Sequence, residues 1–215
     1  MARQMVRCAW LLKVWLALAI TTVAPVATAN AECRIAVLGD SLTTAYGLAL
    51  EEGFPAQLQR ALRAAGHDCE VLDAGVAGDT SAGGLARLEW ALADGPSHVI
   101  VELGGNDALR GLPPEQMEAN LDAIVSRLEA EGLPVMLVGM LAPPNLGRRY
   151  GDAFAAVFPR VADRYDVPLY RFFLDGVAGN PELNQPDGVH PTAQGVGIIV
   201  ERILPTVTEW LDRSG

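Results

Sequence analysis

Two short clusters, far apart in the chain, carry residue types suited to acyl transfer. Gly39-Asp40-Ser41-Leu42 follows the apolar run Ile35-Ala36-Val37-Leu38, and Asp187-Gly188-Val189-His190 lies near the C-terminus. A serine just past a buried strand is held rigidly with its hydroxyl at a sheet edge, and an Asp three residues before a His can orient that imidazole as its base. Each piece alone has a plainer reading, since Gly-Asp-Ser commonly joins a strand to a helix and Asp-x-x-His also serves as an N-cap or a lone metal-ligand pair. Of the three histidines, His67 falls near a helix end and His98 at the N-terminal end of a strand, away from Ser41. Only His190 has a carboxylate placed to serve it.

The rest of the chain supplies the elements that must bring these clusters together. Apolar runs of strand length occur at Arg34 to Leu38, Glu70 to Leu72, His98 to Leu103, Val135 to Met140 and Val167 to Tyr170, with helical signals between them. Pro55 opens a stripe of Leu58, Ala61, Leu62 and Ala65 that stops at Gly66, and Met117, Leu121, Ile124, Val125 and Leu128 mark another before Gly132. A last helix carries Ile199, Val200 and Ile203, and Pro205 is expected to kink or divide it. This alternation predicts an α/β fold, a mostly parallel sheet of about five strands with right-handed crossovers and helices on both faces. Functional residues then belong at the carboxyl ends of the strands.

Two further clusters fall there. Asp73-Ala74-Gly75-Val76-Ala77-Gly78-Asp79-Thr80 follows the second strand and Gly104-Gly105-Asn106-Asp107 the third. A backbone N–H from a tight glycine turn and an Asn amide suit the donors an acyl-transfer oxyanion needs, so Gly78 and Asn106 are the candidates. Asp40 and Asp107 flank catalytic positions and either hydrogen-bond to neighbouring turns or, as the plainer expectation, are exposed loop carboxylates. Leu109, Leu112, Pro113 and Pro143, in loops after strands three and four, are expected to line the path of an acyl chain, with Ala108 to Pro113 either a mobile rim or the start of a helix. Arg148 and Arg149 either meet an anionic head group or are simply solvated.

Residues 1–31 read as a secretory signal peptide, with Arg3, Arg7 and Lys13 before an apolar stretch from Val14 to Val26 and small residues at Ala27, Ala29 and Ala31. The stretch is shorter than the roughly 20 residues of a spanning helix, so no stable membrane anchor is expected. Cleavage is placed after Ala31, with Ala29 nearly as suitable, leaving one domain over residues 32–215 in a periplasmic or secreted location. Losing three cations takes the formal charge from −10 to −13, which disfavours nucleic acid or an anionic membrane surface as partner. Cys33 and Cys69 each lie two residues before a strand core. A bridge forms if those strands are parallel neighbours in an oxidising compartment, and two unpaired buried thiols fit the sequence as well. No residue set supports a metal, and no glycine-rich phosphate loop follows the first strand, which argues against a flavodoxin-like binding module.

Taken together, Gly39-Asp40-Ser41-Leu42, Gly78, Gly104-Gly105-Asn106-Asp107 and Asp187-x-x-His190 resemble the four blocks of the GDSL, or SGNH, hydrolase family. Gly78-Asp79-Thr80-Ser81, Gly84 to Leu88 and Val101 to Asp107 are similar, more narrowly, to its secreted bacterial thioesterase, arylesterase and lysophospholipase branch. The resemblance implies a flavodoxin-like three-layer α/β/α sandwich and no cofactor. It assigns Ser41 as nucleophile, His190 as general base then acid, Asp187 as the orienting carboxylate, and the Ser41 N–H, Gly78 N–H and Asn106 amide as oxyanion hole. Thr43 stands where the Gly-x-Ser-x-Gly elbow has its second glycine, which disfavours the α/β-hydrolase fold. The expected substrate is a small acyl ester or thioester handled by a monomer; a carbohydrate O-acetyl esterase would use the same residues.

Overall fold

The computed structural model describes residues 33–214; the expected signal segment and its cleavage site lie outside them. Strands β1 (Arg34–Leu38), β2 (Glu70–Asp73), β3 (His98–Glu102), β4 (Val135–Val138) and β5 (Leu169–Tyr170) form one parallel sheet in the order β2-β1-β3-β4-β5. The side chains of Ile35–Leu38, Val99–Val101 and Met136–Val138 are inaccessible to solvent, as a parallel sheet covered on both faces requires. β3 to β5 are shorter than the apolar runs that announce them, because the ladder closes with Val138 against Tyr170 and the chain turns away at Gly104 and Gly139.

Helices α1 (Phe54–Ala64), α2 (Ser81–Ala86), α3 (Leu88–Ala91), α4 (Gly105–Leu109), α5 (Pro114–Ala130), α6 (Arg148–Ala155), α7 (Val157–Tyr165) and α8 (Ala193–Ser214) complete the layers. The first crossover runs outward from β1 to β2, and every later one runs the other way from β3 to β5. Right-handed connections therefore put α1 on one face and α5 with α7 on the opposite one. Packing agrees, with α1 against α8 and α5 against α2, α6 and α7. The direction of winding reverses between β1 and β3, and there the carboxyl ends of adjacent strands leave a crevice.

The expected break in the last helix does not occur. α8 is continuous through Pro205, because Pro205 and Glu201 are exposed and water can satisfy the Glu201 carbonyl left without a donor. At the opposite edge of the sheet β1 pairs in parallel with β2, Ile35 beside Val71, and a Cys33–Cys69 disulfide joins the chain just ahead of both strands with 4.6 Å between Cα atoms.

Candidate active site

The site is built from four loops at the carboxyl edge of the sheet. Leaving β1, the chain turns tightly around Asp40, whose carbonyl accepts from the Thr43 and Thr44 N–H groups and whose Oδ1 accepts from the Leu42 N–H at 2.9 Å. Gly39 is required by close approach, since a Cβ there would lie 2.2 Å from the Thr43 hydroxyl oxygen. The turn presents Ser41 half-exposed at the end of the buried strand.

The loop before α8 brings His190 to it. His190 Nε2 lies 2.9 Å from Ser41 Oγ, and His190 Nδ1 lies 2.7 Å from Asp187 Oδ2. A carboxylate only accepts hydrogen bonds, so Nδ1 carries the proton and Nε2 is left as the acceptor for the serine hydroxyl. Asp187 Oδ1 is itself fixed by the N–H groups of His190 at 3.0 Å and Val189 at 2.9 Å. Those donors, the His190 N–H foremost, with the imidazole added, hold the Asp187 carboxyl down at about 2. Tyr46 stacks on the imidazole at 4.3 Å between ring centroids. Its carbonyl accepts from Gln185 Nε2, and the Gln185 N–H donates to the His190 carbonyl. Tyr46 and Gln185 thus steady the base, although neither stands out in the sequence.

Three donors remain beside Ser41. Among the described residues the Ser41 and Gly78 N–H groups have no protein partner, and Gly78 takes φ +83°, a conformation other residues rarely adopt. Asn106, in the first turn of α4, donates from Nδ2 to Asp40 Oδ2 at 2.8 Å, leaving its second amide hydrogen uncommitted. Arg87, another residue not singled out from the sequence, ties these segments together. Its guanidinium donates to Asp79, to the Ala74 carbonyl and to the Gly39 carbonyl, joining the ends of β1 and β2.

The exposed reading of Asp40 and Asp107 is overturned, and both instead hydrogen-bond to turns. Asp40 is only 1 % exposed and Asp107 is likewise buried. Asp107 accepts from the Ser81 N–H and hydroxyl at 2.7 and 2.6 Å, so it neutralises the start of α2 rather than meeting solvent. Burial pushes the Asp40 carboxyl up to about 6.

Beside Ser41 opens an apolar cavity of about 420 Å³, lined by Leu42, Leu109, Met140, Pro143, Phe172 and Val189 among others. Leu109 and Pro143 fall where the acyl path was expected. Leu112 and Pro113 do not border the cavity: Leu112 follows the turn after α4, where its carbonyl accepts from the Tyr150 hydroxyl, and Pro113 caps the start of α5. A depression of about 450 Å³ at the other end of the sheet, lined by Pro134, Val167 and Trp210, meets none of the candidate residues. His98 packs edge-on to Trp210 at that end, and burial lowers its pKa. Among the described residues no group of three or more His, Cys, Asp or Glu side chains could hold a metal.

The fold and this edge define a hydrolase of the SGNH type. The chain belongs to the GDSL-like lipase/acylhydrolase family, whose model matches residues 37–198. It is 44 % identical to the esterase TesA of Pseudomonas aeruginosa, over 80 % of this chain and 86 % of that protein. With thioesterase 1/protease 1/lysophospholipase L1 of Escherichia coli it shares 38 % identity, covering 86 % of this chain and 85 % of the other. The crystal structure of the esterase EstA from Pseudoalteromonas superposes with a TM-score of 0.79 at 36 % identity, covering 84 % of this chain and all of that one.

Proposed function

We propose that this hydrolase is a serine esterase and thioesterase that cleaves acyl esters, including aryl esters and lysophospholipids, and acyl thioesters through an acyl-Ser41 intermediate. The observation that carries the reading is the unbroken chain Asp187–His190–Ser41, with hydrogen bonds of 2.7 and 2.9 Å. In this mechanism Nε2 takes the Ser41 proton as Oγ attacks the acyl carbonyl. The oxyanion is received by the Ser41 and Gly78 N–H groups and the Asn106 amide. His190 returns the proton to the departing alcohol or thiol, water repeats the sequence on the acyl-enzyme, and Asp187 holds the tautomer throughout. The apolar cavity beside Ser41 favours acyl chains over a bare acetyl group on a sugar, and the matches to an esterase and a thioesterase/lysophospholipase favour the same substrate classes. No helix among the described residues is long and apolar enough to cross a membrane. The leader-like residues 1–31 support a periplasmic or secreted enzyme.

The test is covalent and kinetic. A serine-directed phosphonate should add one group per chain at Ser41, and Ser41→Ala and His190→Ala should each abolish nearly all turnover of nitrophenyl esters and acyl thioesters. Because the residues act as a unit, the double variant should be no worse than either single one. Most activity surviving in a single variant would overturn the assignment. A preference for acetylated sugars over every longer acyl ester would put the carbohydrate deacetylase reading first.

A further inference from the structure

Beneath the Ser41 turn lies a second acidic group that the hydrolytic mechanism leaves unused. Glu102 ends β3, alongside the end of β1, with only 1 % of its surface exposed. The Asp40 backbone N–H is directed at its carboxyl group, yet neither Glu102 oxygen has a hydrogen-bond partner among the described residues. An ionised carboxylate left unpaired in such a place is costly enough that it takes up a proton instead. Asp40, equally buried, is provided for differently: its two oxygens accept from the Leu42 N–H and from Asn106 Nδ2.

We propose that Asp40 and Glu102 form a buried carboxyl pair bearing a single negative charge, resident on Asp40, and that this charge makes Asp40 a positioning residue for the oxyanion hole. The ionised Oδ2 holds one hydrogen of the Asn106 amide, which fixes the carboxamide plane and leaves the second hydrogen for the oxyanion. Glu102 stays the neutral acid, since burial and the Asp40 charge both push its carboxyl well above the usual range. The other titratable groups facing Asp40 are His190 from the loop before α8, which favours its charge, and Asp79 from the β2–α2 loop, which opposes it. Asp79 is held in turn by Arg87. Below about pH 6 Asp40 takes up a proton and its grip on Asn106 slackens, so the proton on Asp40 contributes to the acid limb of activity.

Asp40→Asn tests this, because an amide cannot accept from both the Leu42 N–H and Asn106: one of its two atoms is a donor. At its pH optimum the variant should lose about 10- to 100-fold in kcat, less than outright removal of a donor, with KM within about twofold. Its acid limb should also become shallower than that of the wild type. Adding Asp40→Asn to Asn106→Ala should cost almost nothing further if Asp40 acts through Asn106, whereas a general structural defect would multiply the losses. Independently of activity, infrared difference spectra of the folded wild type at neutral pH should contain the C=O stretch of a protonated carboxylic acid that disappears in Glu102→Gln. The kinetic arm rests on the hydrolytic reading and the infrared arm does not; a wild type that hydrolyses no ester would count against that reading alone. The pair is overturned if the wild type lacks the band. The positioning role is overturned if Asp40→Asn keeps wild-type kcat and acid-limb steepness, or if its cost multiplies with that of Asn106→Ala.

Discussion

At the scale of single residues, Asp187 and Asn106 have geometries that make sharp demands. Asp187 Oδ1 is occupied by two backbone N–H groups and Oδ2 by the imidazole. In Asp187→Asn the oxygen must stay with the backbone donors, so the amide faces Nδ1 and forces the wrong tautomer, with Nε2 protonated. A loss of about 10³- to 10⁴-fold in kcat is expected, as for the equivalent change in serine proteases. A near-normal kcat would show that the carboxylate is dispensable. Because the Asp187 carboxyl is held at about 2 in the folded chain, below its ordinary value of 3.8, its contribution to stability is fully present above pH 4 and is lost as pH falls through about 2. Activity lost between pH 4 and 7 is therefore not expected to come from Asp187, and an NMR titration of its carboxyl carbon that found a midpoint above 4 would contradict this. Asn106→Ala should lower kcat by roughly 10²- to 10³-fold with little change in KM, since its free hydrogen meets charge that develops only in the transition state. A raised KM at normal kcat would instead make Asn106 a substrate-binding residue.

At the scale of elements, the short helix α4 carries Asn106 at one end and Leu109 at the other, so it presents an oxyanion donor and a cavity wall together. Leu109 is 57 % exposed at the cavity rim. Each methylene buried there adds up to about 0.8 kcal/mol, and Leu109→Ser should flatten the rise in kcat/KM from acetyl to medium-chain esters while sparing acetyl. Leu112→Ser should leave that rise intact; the reverse pattern would place the chain elsewhere. The sheet, α1, α5 and the convergence of Ser41, Asp187, His190 and Asn106 at one edge were legible because long apolar periods and strand ends are local features. Asp40 and Asp107 misled because whether a loop carboxylate is buried depends on donors from other loops, Asn106 in one case and Ser81 in the other. Leu112 misled because α4 is too short to show a period, so which side chains turn toward the cavity cannot be counted along it. Nothing local marks Glu102, Tyr46 or Arg87: each owes its role to segments distant in sequence.

At the scale of the whole molecule, the disulfide closes a loop of 36 residues that contains β1, α1 and Ser41 itself. In the chain-entropy model a loop of this length adds about 3 to 4 kcal/mol. Denaturant unfolding of Cys33→Ala/Cys69→Ala should show a loss of that order, and an unchanged midpoint would mean that the bridge adds nothing. Within the same fold, Ser41 and His190 are 149 residues apart in the chain. Ser41 is therefore synthesised well before His190, with β2 to β5 made between them. A growing chain, or one interrupted anywhere before the α8 loop, carries the serine with no base to activate it. On the proposed mechanism, a nascent chain that has not yet reached His190 cannot attack acyl groups.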